Sequence, residues 1–257
     1  MKKESFNYPY IFDDDALISA SGWLKILGAN ILAFILLSTT LLQAIPIFGS
    51  PSLSHYYHPT FFEAIQIISP GILFLVINFL GFYWGTNGNW RRIFRPLKGK
   101  AWLWIILFIF LTWIVGSIAG GLASHFFGNE TNPQDVLSAS HSGAWTAFWL
   151  VRLENVFQLL GEEFLALMPF LAFAQLGYHW GWSKKRALLF GLVVSSVIFG
   201  LYHISTYGYN VGYAILGLTF TRIAMTMAYM KTKSIWASYA VHFTFDFLSF
   251  LISFLLV

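Results

Sequence analysis

The 257-residue sequence contains no cysteine and few charged residues. The absence of cysteine excludes disulfides, thiolate metal sites and a cysteine nucleophile. Charged residues make up 10% of the chain, whereas an ordinary soluble domain carries about a quarter. Hydrophobic residues make up 57%, so the few charges could not wet the surface of a soluble globule of this size. The composition therefore predicts an integral membrane protein.

The charge distribution favours the lipid bilayer as a partner and excludes nucleic acid. The net charge is only +4, and the basic residues form short, separated clusters rather than one continuous face. We therefore expect no nucleic-acid partner.

Seven apolar stretches are long enough to cross the hydrocarbon core as helices, which takes about 20 residues each. They cover residues 26–45, 62–84, 101–124, 144–176, 187–205, 211–230 and 235–257. No internal repeat or soluble domain is visible. The sequence predicts an all-α fold, a multi-pass transmembrane helical bundle of about seven spans. A polar cytoplasmic tail at 1–22 precedes a single membrane domain at 23–257.

Lysine and arginine alternate between the predicted loops and indicate an orientation. Five basic residues lie in the 85–100 loop and three in the 177–186 loop, whereas the loops at 46–61, 125–143 and 206–210 contain none. Basic residues accumulate on the cytoplasmic side of membrane proteins. We therefore expect a cell-membrane protein with its N-terminus in the cytoplasm and its C-terminus outside.

Eight ionisable side chains lie well inside the predicted spans, all of them after residue 150. They are Arg152, Glu154, Glu162, Glu163, His203, Arg222, His242 and Asp246. A charge at membrane depth is costly, so these side chains are expected to face the bundle interior and to mark function. The spans up to about residue 143 are predicted to be a scaffold, and residues 144–257 are predicted to hold the site.

Helical spacing brings several of these groups onto shared faces. Glu154, Gln158 and Glu162 recur every four residues and form a polar stripe on the fourth span. His242 and Asp246 are also four residues apart, on the last span. Adjacent glutamates, two histidines and an aspartate can therefore converge in one cavity. This set of groups is suited to activating water beside a scissile carbonyl.

Each of these features alone also fits a structural role. A histidine and an aspartate four apart on a membrane helix commonly form an interhelical hydrogen bond. Adjacent glutamates could equally serve as an ion or proton site. Arg152 and Arg222 fit charge partners better than catalysts.

The signatures of other intramembrane proteases are absent. No His-Glu-x-x-His occurs, which excludes the helical zinc site of site-2-type metalloproteases. Asp246 is the one aspartate at predicted membrane depth, so a presenilin-like aspartate pair cannot form. No Gly-x-Ser-Gly precedes a partner histidine, which leaves a rhomboid-type dyad unsupported. Two glutamates and two histidines on separate helices remain.

In this order the residues resemble the CAAX protease and bacteriocin-processing family, also called the Abi family. Its pattern is Glu-Glu-x-x-x-Arg, then Phe-x-x-x-His, then His-x-x-x-Asn or Asp. The corresponding segments of this chain are 162–167, 199–203 and 242–246. The resemblance extends over about 155–250 and leaves the first three spans without a diagnostic feature.

The resemblance implies roles for five residues. Glu162 and His203 would activate the attacking water, with Glu163 orienting Glu162. His242 and Asp246 would stabilise the developing oxyanion. We expect no obligatory metal or other cofactor, although His203, His242 and a carboxylate could hold zinc with an open position.

Two positions depart from the family pattern. Leu167 stands where the pattern has arginine, so the charge pairing of that arginine is lost unless Arg222 replaces it in space. Asp246 stands where asparagine is commoner, and an ionised aspartate cannot donate a hydrogen bond to an oxyanion, whereas a protonated one can. The missing arginine is typical of the bacteriocin-associated branch rather than of the prenyl-protein-processing enzymes.

The leading hypothesis is an intramembrane glutamate-type peptidase, a hydrolase that cuts a peptide or membrane-protein substrate. One alternative is a non-catalytic bacteriocin-immunity or scaffold membrane protein of the same family, which the two departures favour. A transporter is a weaker alternative, indicated by the polar stripe and disfavoured by the absence of repeats.

The depths of the two histidines argue against a simple arrangement. His203 lies 16 residues after the start of its predicted span, and His242 lies seven residues after the start of its own. In upright helices these depths differ by about 14 Å. Tilted helices, a broken fourth span or different boundaries must bring the two histidines together.

Overall fold

The computed structural model describes residues 8–38, 41, 45–49, 51–130, 132 and 137–256. These residues contain eight α-helices. The helices are α1 (Ala20–Ser38), α2 (Leu53–Tyr57), α3 (Phe61–Gly85), α4 (Ala101–Phe127), α5 (Ala144–His179), α6 (Lys184–Tyr202), α7 (Val211–Thr232) and α8 (Ile235–Leu256). Two short 3₁₀ helices lie at Pro46–Phe48 and Trp90–Ile93. These residues include no strand.

All of the α-helices except α2 are long and apolar enough to cross a membrane. This confirms the predicted all-α fold with seven spans. The first span differs from its prediction, because α1 begins at Ala20 rather than at residue 26. Residues 39–40 and 42–44 of that predicted span lie outside the described residues.

Side-chain caps mark where two of the spans begin. Thr60 accepts a hydrogen bond from the backbone N–H of Glu63, and the Glu63 carboxylate accepts one from the backbone N–H of Thr60. This reciprocal capping box satisfies two N–H groups that the start of α3 would otherwise leave unpaired. The side chain of Asn210 accepts a hydrogen bond from the backbone N–H of Tyr213 and caps the N-terminus of α7.

Helix α5 is the most buried of the spans and packs against α1, α3, α6 and α8. Its 36 residues extend over about 54 Å, which is longer than the hydrocarbon core. Pro169 lies within α5 without ending it. Gly191 on α6 permits close approach, since a Cβ there would clash with the carbonyl oxygen of Phe170. Small residues at such crossings are how membrane helices pack closely.

The turn between α7 and α8 is buried instead of lying at the surface. Ser234 is 1% exposed, and its hydroxyl donates to the carbonyl of Arg95 at 2.6 Å. The ammonium of Lys233 lies 3.9 Å from the centroid of the Tyr8 ring and donates to the carbonyl of Met230. Burial lowers the pKa of Lys233 to about 8. The turn between α7 and α8 therefore lies below the protein surface and is covered by other residues.

The cover is formed by residues 8–18, here called the N-terminal segment, and by the loop between α3 and α4. Tyr10 and Ile11 of this segment are fully buried, and the Tyr10 hydroxyl donates to the carbonyl of Asn89 at 2.7 Å. Ion pairs of 2.5–2.6 Å join the segment to neighbouring elements: Asp14 and Asp15 with Arg92, and Asp13 with Lys184. This part of the predicted polar tail is thus a packed layer of the fold.

We expect Tyr10→Ala to reduce thermal stability markedly. The substitution removes a fully buried ring that packs edge-to-face on Phe82 at 5.7 Å. Truncation of a buried aromatic side chain costs about 3–5 kcal/mol of unfolding free energy. The measurement is the unfolding midpoint of the purified protein in detergent. Tyr83→Ala, at an exposed tyrosine, is the matched control. Equal midpoints for the two variants would contradict the packing of the N-terminal segment.

Candidate active site

A fully buried ion pair joins α5 to α7 at the centre of the bundle. The guanidinium of Arg222 donates from Nη1 to Oε1 of Glu163 at 2.6 Å and from Nη2 to Oε2 at 2.8 Å. Both side chains are 0% exposed. Nε of Arg222 donates to the hydroxyl of Thr226 at 3.2 Å, and the guanidinium lies 5.1 Å from the ring centroid of Phe199. Because two parallel hydrogen bonds allow one relative orientation, each charge fixes the position of the other.

Arg222 supplies the guanidinium that the family pattern places at position 167. Leu167 lies one turn after Glu163 on α5 and is fully buried in an apolar cluster that includes Phe164 and Tyr229. The cation that pairs with Glu163 comes instead from α7. Arg222 thus provides a guanidinium close to the first motif in space, although Leu167 stands at the arginine position of the pattern.

His242 lies against the same ion pair. Its Nδ1 is 2.9 Å from Oε1 of Glu163. A carboxylate held by a guanidinium can only accept, so Nδ1 carries the proton and donates. Nε2 of the same ring then faces Glu162 Oε2 at 3.8 Å and Asp246 Oδ2 at 3.6 Å. Glu163 therefore orients His242, and the role that the resemblance implies for it toward Glu162 stays a prediction.

His203 is oriented by the backbone of its own helix. It lies at the C-terminal end of α6, and its Nδ1 is 2.9 Å from the carbonyl oxygen of Phe199. A carbonyl oxygen accepts, so Nδ1 donates and Nε2 is left to face Glu162 Oε2 at 3.7 Å. The Phe199 ring lies 4.5 Å from the imidazole and restricts its rotation. The backbone carbonyl and the ring of Phe199 thus orient His203.

Glu162 is the point where these groups meet. Its Oε1 accepts a hydrogen bond from Nε2 of Gln158 at 2.9 Å. Its Oε2 lies 3.7 Å from Nε2 of His203 and 3.8 Å from Nε2 of His242. These distances exceed a direct hydrogen bond and suit groups that are bridged by one water molecule. Oε1 of Glu162 is thus held by a hydrogen bond, whereas Oε2 faces the two histidines without a direct hydrogen bond.

The recessed α7–α8 turn explains how the two histidines reach one carboxylate. His203 lies 19 residues after Lys184, the start of α6, and His242 lies seven residues after Ile235, the start of α8. The difference of twelve residues corresponds to about 18 Å along straight helices. Because α8 starts inside the fold, beneath the N-terminal segment, His242 is carried to the depth of His203.

Four of the five predicted site residues line one cavity of about 450 Å³, here called the central cavity. Glu162, His203, His242 and Asp246 line it directly, and Glu163 lies behind His242. The remaining wall is mixed, with Asn155, Gln158, Leu159, Phe199, Thr221, Arg222, Met225 and Phe245 among its members. A cavity of this size holds a short stretch of peptide.

Glu154 and Arg152, two of the other predicted intramembrane charges, do not line the central cavity. The carboxylate of Glu154 accepts from the side-chain amide of Asn155 and is turned toward α3, where a Cβ on Gly71 would lie 2.6 Å from it. The guanidinium of Arg152 lies 4.3 Å from the centroid of the Phe250 ring. The polar stripe predicted for α5 is therefore shorter than expected and comprises only Gln158 and Glu162.

Thr226 supports the buried guanidinium, although no sequence pattern above indicated this residue. Thr226 follows Arg222 by four residues on α7, so the rule that side chains four apart share a helix face could have found it. Within the described part of the chain, no group of three or more His, Cys, Asp or Glu side chains is arranged to hold a metal ion.

We expect Arg222→Met to destabilise the fold by about 3–5 kcal/mol, because it leaves the carboxylate of Glu163 buried without a cation. The double variant Arg222→Met/Leu167→Arg restores a guanidinium one turn from Glu163 and should regain part of this loss. Unfolding midpoints in detergent measure both effects. Leu167→Arg alone, which adds a second buried guanidinium, is the control and should also destabilise. A double variant no more stable than either single variant would contradict the pairing.

Comparison with known proteins shows that the predicted site residues lie in a stretch of the chain that matches one family model. Residues 144–248 match the family model described as type II CAAX prenyl endopeptidase Rce1-like. No curated protein and no solved structure matches the chain. The matched residues run from the start of α5 into α8 and include all five predicted site residues. The match shows that residues 144–248 are similar to this family and confirms the resemblance seen in the sequence, and the seven apolar helices indicate a multi-pass membrane protein.

Proposed function

We propose that the protein is an intramembrane glutamate-type peptidase that hydrolyses a peptide or membrane-protein substrate. The observation that carries this proposal is the position of Glu162 Oε2, which faces Nε2 of both His203 and His242 within 4 Å in a cavity of peptide size. The peptidase named by the matched family model supports the same class of reaction. The basic loops favour an N-terminus in the cytoplasm and a C-terminus outside.

The first step is the attack of water on the scissile carbonyl. A water molecule hydrogen-bonded to Glu162 and His203 transfers a proton to the Glu162 carboxylate as its oxygen bonds to the carbonyl carbon. The π electrons of the carbonyl move to its oxygen, which becomes the oxyanion. In its neutral form with the proton on Nδ1, His203 accepts from the water through Nε2 and aligns it.

The second step is collapse of the tetrahedral intermediate. The oxyanion re-forms the carbonyl, the C–N bond breaks, and the leaving nitrogen takes the proton from Glu162. The products are a carboxyl group and an amine, and the Glu162 carboxylate is regenerated.

His242 and Asp246 are proposed to stabilise the oxyanion. When it is protonated on both nitrogens, His242 donates from Nδ1 to Glu163 and from Nε2 into the central cavity. Asp246 donates only in its protonated form, and in its ionised form it pairs with Nε2 of His242 at 3.6 Å. Donors aimed at a developing oxyanion are usually the largest single contribution to such a reaction.

We expect Glu162→Gln and His203→Ala to lower kcat by about 10²–10⁴-fold, because each removes a group that handles the proton of the attacking water. The assay is cleavage of quenched-fluorescence peptides by the purified protein in detergent. Glu154→Gln is the matched control, since this glutamate lies two turns away on α5 and faces α3. Full activity in Glu162→Gln would overturn the proposal.

We expect activity to survive dialysis against a strong chelator, because the proposed mechanism needs no bound metal. The measurement is the cleavage rate before dialysis, after dialysis and after addition of zinc. Loss of activity that zinc restores would show that His203, His242 and a carboxylate form a zinc site instead.

The second candidate is a non-catalytic immunity or scaffold membrane protein of the same family. Asp246 in place of the commoner asparagine favours it, whereas the pairing of Arg222 with Glu163 offsets the missing arginine at Leu167. Protection of cells against a bacteriocin by the Glu162→Gln variant would support this candidate. The transporter alternative is weaker, because Glu154 is turned away from the stripe that suggested it.

A further inference from the structure

Glu162 and His203 lie between two cavities. The first is the central cavity described above. The second, of about 390 Å³, lies between α1, α3, α5 and the turn that follows α6, and is here called the second cavity. Four residues line both cavities: Gln158, Glu162, His203 and Thr206. These four side chains form the partition between them.

The remaining site residues are distributed unequally between the two cavities. Arg222, His242 and Asp246 line the central cavity and do not line the second. The pair proposed to activate water thus has access from both sides, whereas the groups proposed to bind the oxyanion face one side only. A substrate carbonyl that reaches His242 and Asp246 must therefore occupy the central cavity.

The second cavity has a polar, exposed mouth and an apolar interior. Ser38 at the end of α1 and Ser205 and Tyr209 in the turn after α6 line it and are exposed. Its interior wall consists of the side chains of Phe34, Leu37, Phe74, Leu165 and Tyr202. The cavity therefore leads from exposed hydroxyl groups to the Glu162 carboxylate.

We propose that the second cavity is the path by which water reaches Glu162 while the central cavity holds the substrate. This inference rests on the proposed function. A peptide that fills the central cavity displaces the water there, so each turnover needs a supply that does not pass the substrate. Polar hydroxyl groups at the mouth and a carboxylate at the inner end provide hydrogen-bond partners at both ends of such a path.

The absence of cysteine allows the path to be tested with single introduced thiols. Leu37→Cys places a thiol in the second cavity, and Leu218→Cys places one in the central cavity. Leu32→Cys, at an exposed position on the same helix α1 that does not line the second cavity, is the control for labelling from the lipid or detergent side. The probe is a methanethiosulfonate reagent that carries a trimethylammonium group, and intact mass measures the labelled fraction.

We expect rapid labelling of Leu37→Cys and slow labelling of Leu32→Cys, because the charged reagent follows water. Labelled Leu37→Cys should then show kcat reduced by about tenfold or more with KM within about twofold of the unlabelled variant, whereas labelled Leu218→Cys should show a raised KM. The smaller methyl methanethiosulfonate should reduce the kcat of Leu37→Cys less than the bulky reagent does.

Two results would overturn the inference while the proposed function stands. One is a folded, active Leu37→Cys variant that the charged reagent labels no faster than Leu32→Cys. The other is complete labelling of Leu37→Cys with kcat unchanged. If the wild-type protein cleaves no peptide, the proposed function fails and the inference fails with it, whatever the labelling shows.

Discussion

The buried ion pair between Glu163 and Arg222 is the interaction on which the geometry of the site depends. It joins α5 to α7, and the hydrogen bond between Glu163 and His242 extends it to α8. An ion pair with no exposed surface gains little stability over a well-packed apolar pair, because both charges lose their hydration. What it supplies is orientation, since the bidentate contact and the imidazole hydrogen bond permit one arrangement of three helices.

The two adjacent glutamates have different tasks because consecutive residues of a helix point about 100° apart. Glu163 faces α7 and α8 and is fully enclosed, whereas Glu162 faces the central cavity and the end of α6. Each histidine has one nitrogen held by an acceptor, Glu163 for His242 and the Phe199 carbonyl for His203. Both rings therefore direct Nε2 toward the same carboxylate oxygen.

The seven spans and the intramembrane position of the ionisable residues could be predicted because both follow from local composition. The common depth of His203 and His242 could not, since it depends on where α8 starts in space. Lys233 lies beneath Tyr8 in the recessed turn that precedes α8. Hydropathy cannot show that a polar N-terminal segment packs over such a turn. The direction of the Glu154 side chain likewise depends on the approach of α3, which helical spacing on α5 does not contain.

The departure at Leu167 shows why a motif must be judged in space. Read along the chain, the pattern has lost its arginine; in the fold, Glu163 still has a guanidinium at hydrogen-bond distance, donated by α7. The physical requirement is a cation that keeps Glu163 ionised as the acceptor for His242, and this requirement does not specify a sequence position. The case for a catalytically inactive chain therefore depends on Asp246 alone. That residue lies beside Nε2 of His242 in the central cavity, where its protonation decides whether it donates to an oxyanion or pairs with the imidazole.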